Sequence, residues 1–185
     1  FFFFYSPERT NPGDKTKKLN TINKIVAFSD NSAKRIKIVK GIFKKISKKI
    51  TYTSDIESAE TAKVIENIQR DLNIGLFNEI YKFCDKVNIN FKEVINLAST
   101  KWNFIKFKPG LVGGHCLPVD PYYLSYISKK HKLKMEILLA GRNVNNQMEN
   151  FAYKKILSEL KKYKLNLKDK ILVASEPDKT NIGRK

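Results

Sequence analysis

The chain has 185 residues, 42% hydrophobic and 11% aromatic, with 36 Lys and Arg against 18 Asp and Glu, for a formal charge of +18. That much apolar side chain can build a core, which excludes wholesale disorder, and the charge favours polyanionic partners: nucleic acid, acidic membranes or phosphorylated small molecules. No apolar run approaches the roughly 20 residues that span a bilayer, and residues 1–5 lack the length and basic flank of a signal peptide. A cytoplasmic protein with no membrane partner is therefore expected. Cys84 and Cys116 lie far apart in dissimilar contexts, so no disulfide scaffold is expected, and no Cys or His pair has the spacing of a metal site.

Residues 1–5 are continuously apolar and read as a buried strand that empties into a loop through Asn11, Pro12 and Gly13. A second strand is expected over Lys24–Phe28. Ser29, Asp30, Asn31 and Ser32 suit a helix cap, and the helix Ala33–Ile46 follows with apolar residues at Ile36, Val39, Ile42, Phe43 and Ile46. Ile50–Thr53 is β-branched and aromatic, a third strand. Ser54 to Glu57 has the pattern of a capping box before a long helix, whose apolar face would be Ala62, Ile65, Ile68, Leu72, Leu76, Ile80 and Phe83. A shorter helix is expected over Phe91–Ala98, then a loop at 99–121, helices near 122–131 and 135–162, and a final strand at 170–174.

The loop segment 107–121 concentrates the chemistry. Gly110, Gly113 and Gly114 permit close backbone approach to a ligand, and Cys116 offers a nucleophile. A thiolate acting on a carbonyl needs positive charge or amide dipoles nearby and a group that positions water, and Asp120 and His115 are within local reach. The plainer reading is an inert cysteine in a glycine loop, while Cys84 on the long helix reads as a core thiol. Lys63 and Asn67 are one helical turn apart and could together steady an alkoxide, with Arg70 and Asp71 continuing the stripe. The alternative is a solvated face with Glu66 and Arg70 as a surface ion pair. Glu8 follows the first strand, at the carboxyl end where α/β sheets place ligand-contacting residues. His115 is too close to Cys116 in sequence for a hydrolase pair, and His131 stands among lysines.

Four segments in this order resemble the UDP-glucose/GDP-mannose dehydrogenase family, closest to its UDP-N-acetylhexosamine 6-dehydrogenase branch. They are Ser6-Pro-Glu-Arg-Thr-Asn-Pro-Gly-Asp14; Ala59-Glu-Thr-Ala-Lys-Val-Ile-Glu-Asn67 with Asn78-Glu79; Thr100-Lys-Trp-Asn-Phe104; and Pro109-Gly-Leu-Val-Gly-Gly-His-Cys-Leu-Pro-Val-Asp-Pro-Tyr-Tyr123. The resemblance covers residues 1–174. It implies an NAD-dependent oxidation of a sugar C6 alcohol to a carboxylate, through a thiohemiacetal and a thioester on Cys116, for capsule or O-antigen polysaccharide synthesis. Lys63 and Asn67 would then steady the oxyanion, Asp120 would handle water and protons, and Glu8 would support thioester hydrolysis. Arg9, Phe107, Gly110, Gly113 and Gly114 would line the UDP-N-acetylhexosamine, and Lys101 would reach toward the substrate of a partner subunit. Glu8 and Cys116 would also border the NAD.

The same resemblance implies the fold: an α/β remnant of a Rossmann domain followed by a mostly α-helical central domain like the C-terminal part of 6-phosphogluconate dehydrogenase. Residues 1–54 would end the NAD-binding domain, 55–165 would form the dimerising central domain, and 166–185 would open a UDP-binding domain. The Gly-x-Gly-x-x-Gly turn of the family is not found in these residues, so a fragment truncated at both ends, inactive by itself, is expected. Two rivals stand beside the enzyme. One is a non-catalytic remnant that still dimerises. The other is a basic nucleic-acid-binding module using Lys44, Lys45, Lys48 and Lys49 or Lys161, Lys162 and Lys164, and no nucleic-acid motif accompanies those lysines.

Overall fold

The structure, a computed structural model, describes residues 2–10 and 18–165. It divides into two compact units, residues 1–66 and 67–185, with the boundary inside one long helix. The loop expected around Asn11 and the strand expected at 170–174 lie outside the described residues, as does the segment 166–185.

In the first unit, β1 (Phe4–Tyr5), β2 (Lys24–Phe28) and β3 (Ile50–Thr53) form a sheet in that order, and α1 (Ala33–Ile46) joins β2 to β3. Strand β2 pairs antiparallel with β1, Phe4 opposite Phe28, and parallel with β3, Val26 opposite Tyr52. The β2–α1–β3 crossover follows from chemistry at each joint. Asp30 Oδ1 accepts from the Ser32 amide at 2.8 Å and turns the chain into α1, and Ser47 Oγ donates to the Ile22 carbonyl at 2.7 Å and turns it out. The core is hydrocarbon: Val26, Phe28, Val39 and Phe43 are buried, with Phe2, Ile36, Ile46, Ile50 and Tyr52 packed against them. Residues 1–5 differ from the buried strand expected of them. Phe3 and Phe4 are 58% and 45% exposed, because β1 is a two-residue edge strand with one neighbour.

Helix α2 (Ile56–Lys86) begins one residue later than the Ser54 capping box would place it. Asp55 is the capping side chain, its Oδ1 accepting from the Ser58 amide at 3.0 Å and its Oδ2 from the Ser58 hydroxyl at 2.5 Å. In the second unit come α3 (Phe91–Ala98), capped by Asn90 through the Glu93 amide at 3.2 Å, then α4 (Asp120–Lys130) and α5 (Glu136–Lys162).

The expected apolar face of α2 is buried only in part: Ile68 is buried and Ala62, Leu72 and Ile80 are half-buried, but Ile65 is 51% exposed. Leu76 and Phe83 of the apolar stripe are 51% and 60% exposed, while Asn67, Asp71 and Asn78 are buried with Ile74 and Phe77. The cause is a close crossing of α2 and α5 at two glycines. A Cβ on Gly75 would stand 3.1 Å from the Gly141 carbonyl oxygen, and one on Gly141 would stand 2.4 Å from Leu72 Cδ2. At that separation polar side chains bond across the interface, which offsets much of the cost of burying them, although Asp71 Oδ2 and Arg142 Nε are buried without a partner. Asp71 meets Arg142 at 2.5 Å, Asn145 Nδ2 donates to the Asp71 carbonyl at 2.9 Å and to its Oδ1 at 2.8 Å, and Asn78 Nδ2 donates to Asn145 Oδ1 at 2.8 Å. Burial pushes the Asp71 carboxyl above the ordinary carboxylate range, against the pull of Arg142 and Asn145.

Candidate active site

Residues 99–119 connect α3 to α4 without regular structure. Their first part is fastened by rings: Phe104 and Phe107 stand 6.2 and 6.0 Å from Phe77 of α2. Phe107 is thus a half-buried anchor of the loop. Gly110 is fastened by polar bonds. Asn78 Oδ1 accepts from the Gly110 amide at 2.7 Å, and Asn78 Nδ2 donates to the Gly110 carbonyl at 3.0 Å. The next turn needs a left-handed residue, and Gly114 supplies it at φ +88°. His115 and Cys116 are exposed, whereas Cys84 is buried in α2 as a core thiol.

The Cys116 carbonyl accepts from the amides of Val119 at 3.2 Å and Asp120 at 2.9 Å, which winds the chain into α4 with Pro121 in its first turn. Asp120 sits at that N-terminus, where the helix dipole favours a carboxylate. Its Oδ2 accepts from Asn67 Nδ2 at 2.6 Å. Of the expected site residues, Asn67 and Asp120 therefore meet through their side chains, and Cys116 adjoins Asp120 through a backbone bond. One hydrogen of the Asn67 amide is committed to Asp120. Lys63 is half-buried one turn earlier on α2. Lys101 is exposed in the turn after α3, beside Trp102 at 92% and Ile105 at 70% exposure.

Glu8 and Arg9 make their bonds within the first unit. Glu8 Oε1 accepts from the amides of Arg9 at 2.8 Å and Thr10 at 2.5 Å, and Oε2 accepts from the buried Lys24 ammonium at 2.9 Å. Burial pushes the Glu8 carboxyl up, but the Thr10 and Lys24 side chains and the Thr10 and Arg9 amides outweigh it and hold the pKa at about 2. Arg9 Nη1 donates to the Asn23 carbonyl at 2.9 Å, and Nη2 meets Glu66 at 2.5 Å. Glu66 is thus engaged by Arg9.

Among the described residues the turn from β2 into α1 does not fit the pyrophosphate of a dinucleotide. The turn from β2 into α1, where a pyrophosphate would rest on helix amides, has no glycine and is filled by the Asp30 carboxylate bonded to Ser32. Among the described residues no three His, Cys, Asp or Glu side chains group to hold a metal ion, and no helix is long and apolar enough to cross a membrane.

Sequence reasoning missed Asn78, Asn145 and Arg142 as supports of the loop, and it read Asp71 only as continuing the polar stripe of Lys63 and Asn67, functional or solvated. A signal existed: Asn67, Asp71, Ile74 and Asn78 recur at helical spacing on one side of α2, in phase with Gly75.

Residues 57–147 match the model of the UDP-glucose/GDP-mannose dehydrogenase family, central domain. Over 168 residues the chain is 44% identical to Protein CapL of Staphylococcus aureus and 44% identical to a UDP-N-acetyl-D-glucosamine 6-dehydrogenase of Salmonella typhi, spanning 90% of this chain and 39% of each relative. The fold superposes on a UDP-D-ManNAc dehydrogenase from Pyrococcus horikoshii with a TM-score of 0.76 and 31% identity, covering 89% of this chain and 38% of that one. The chain thus spans about two fifths of the length of these relatives. With the cysteine loop and its helical support inside the matched segment, the chain belongs to the UDP-glucose/GDP-mannose dehydrogenase family and carries that family's central domain.

Proposed function

We propose that this chain is the nucleophile-bearing part of a UDP-N-acetylhexosamine 6-dehydrogenase, with Cys116 as the nucleophile. The observation that carries the reading is the 2.6 Å bond from Asn67 to Asp120, which orients a carboxylate four residues from an exposed cysteine on a glycine loop. The names of the relatives supply the substrate class. The oxidant would be NAD, which accepts hydride in such reactions, with Glu8 and Cys116 bordering it.

The chain's own residues account for the covalent steps. The Cys116 sulfur adds to a C6 aldehyde, the carbonyl electron pair moves to oxygen, and the second Asn67 N–H is a donor for that oxyanion. After oxidation to the thioester, water adds to the acyl carbon, Asp120 accepts its proton, and the Cys116 thiolate leaves a carboxylate behind. The resemblance adds Lys63 to the oxyanion and Glu8 to the hydrolysis. With its pKa at about 2, Glu8 is a weak base at neutral pH, and it suits orienting a water better than deprotonating one.

In this reading residues 1–54 close an NAD-binding Rossmann domain, 55–165 form the central domain with its 6-phosphogluconate dehydrogenase-like helices, and 166–185 open the UDP-binding domain. A homodimer would use the exposed Leu76, Phe83 and Val87 of the α2 end, and Lys101 would face the partner's substrate. The exposed stripe equally favours a dimer without catalysis, so the test must separate the two. The chain, joined to a Gly-x-Gly-x-x-Gly-bearing Rossmann half from a family member, is expected to form NADH only with a UDP-N-acetylhexosamine. Cys116→Ala should lower that rate by more than about 10³-fold. A dimer with no NADH formation, or undiminished activity in Cys116→Ala, overturns the enzymatic reading.

A further inference from the structure

From Gly110 to Asp120 the chain has a contour of roughly 33 Å, yet the two α2 residues that hold its ends, Asn67 and Asn78, are only about 16 Å apart along the helix. A connection with twice the length it must cover is slack, and glycines at 110, 113 and 114 make it slacker. Something has to remove that freedom if Cys116 is to meet a substrate carbon in one geometry.

Asn78 is fully buried, and both polar atoms of its carboxamide pair with the backbone of one residue, Gly110. Its orientation is set in turn. Asn78 Nδ2 donates to Asn145 Oδ1, Asn145 Nδ2 is taken by Asp71, and Asp71 is paired with Arg142. From there Arg142 Nη2 donates to Asn146 Oδ1 at 2.5 Å, and Asn146 Nδ2 donates to the Tyr122 hydroxyl at 3.2 Å. Tyr122 lies two residues past Asp120, on the first turn of α4. One continuous chain of hydrogen bonds therefore runs from Gly110, in the middle of the loop, through the α2–α5 interface, to the helix at the loop's far end.

We infer that Asn78 is a positioning residue for Cys116, mooring the cysteine loop at Gly110 through the network Asn145–Asp71–Arg142–Asn146–Tyr122. The inference rests on the reading of Cys116 as nucleophile, and it adds what holds that nucleophile in place. Gly110 itself needs no steric relief, since a Cβ there would meet nothing within 4 Å; what the loop requires at this position is the backbone pair.

The two cysteines make the test internal. Iodoacetamide labelling of the 185-residue chain, followed at each cysteine by mass spectrometry, is compared with a free peptide of residues 110–120 at the same pH. With the loop moored, the wild-type Cys116 rate should differ from the peptide's by about tenfold, the order expected from one buried hydrogen-bonded clamp. In Asn78→Ala it should converge on the peptide's rate while Cys84 stays protected. A wild-type rate equal to the peptide's, or no change in Asn78→Ala, overturns the mooring. If Asn78→Ala opens Cys84 as well, the milder Asn78→Ser decides, and equal opening of both thiols there assigns Asn78 to the core alone. No UDP-sugar enters the measurement, so a positive labelling result with no NADH formation would sink the enzymatic reading and leave the mooring intact.

Discussion

The two units solve the same problem with opposite chemistry. Around Phe43 the sheet unit packs hydrocarbon on hydrocarbon, and its interaction energy depends on volume and little on direction. Around Asp71 the helical unit buries Asn67, Asn78, Arg142 and Asn145, whose bonds are directional and fail as a set. The difference teaches where precision is required: the apolar core makes the first unit compact, whereas the polar core fixes which residue of the cysteine loop stands where.

That contrast can be broken in graded steps, each read by urea unfolding followed by circular dichroism. Arg142→Leu strands the Asp71 carboxylate in the interior and should cost about 3–5 kcal/mol, and the double variant Asp71→Leu/Arg142→Leu should recover most of it. Asn145→Leu keeps the volume but deprives Asp71 and Asn78 of a partner, for a loss of about 2 kcal/mol. Phe43→Leu, a swap inside hydrocarbon, should cost about 1 kcal/mol. If it costs as much as Asn145→Leu, the contrast between the cores collapses. The smallest effect comes from a surface carboxylate and disappears in acid. Glu8, with a folded pKa of about 2 against an ordinary 4.5, contributes stability that is present above pH 4.5 and lost as pH falls through 2. Glu8→Gln should lower the melting temperature slightly at pH 7, the effect being small because the side chain is largely exposed, and converge on the wild-type value as pH falls towards 2.

Local chemistry made much of the fold legible. The bounds of β2, α1, β3 and α3 coincide with the expected ones because each is framed by its own turn or capping residues, as Asp30 and Asn90 show. The glycine and proline content marked the cysteine loop for the same reason. The burial of the polar residues of α2 was not legible, since hydropathy records the polarity of a side chain and not whether a partner waits 67 to 74 residues away, as Asn145 does for Asn78 and Asp71. Helix α4 begins at Asp120, two residues before its expected start, because the Cys116 carbonyl captures the Asp120 amide. The residues that could act were visible as motif members, and the residues that hold them were not, because support is a property of three-dimensional pairing.

Trp102, the single tryptophan of the chain, stands 92% exposed beside Lys101. Its indole already emits as a solvated fluorophore in the folded state, so unfolding changes its spectrum little and tryptophan fluorescence is a poor gauge of stability here. The same placement makes it a native optical reporter: any blue shift on raising the protein concentration or adding a nucleotide sugar records contact at the tip that follows α3, with no label attached.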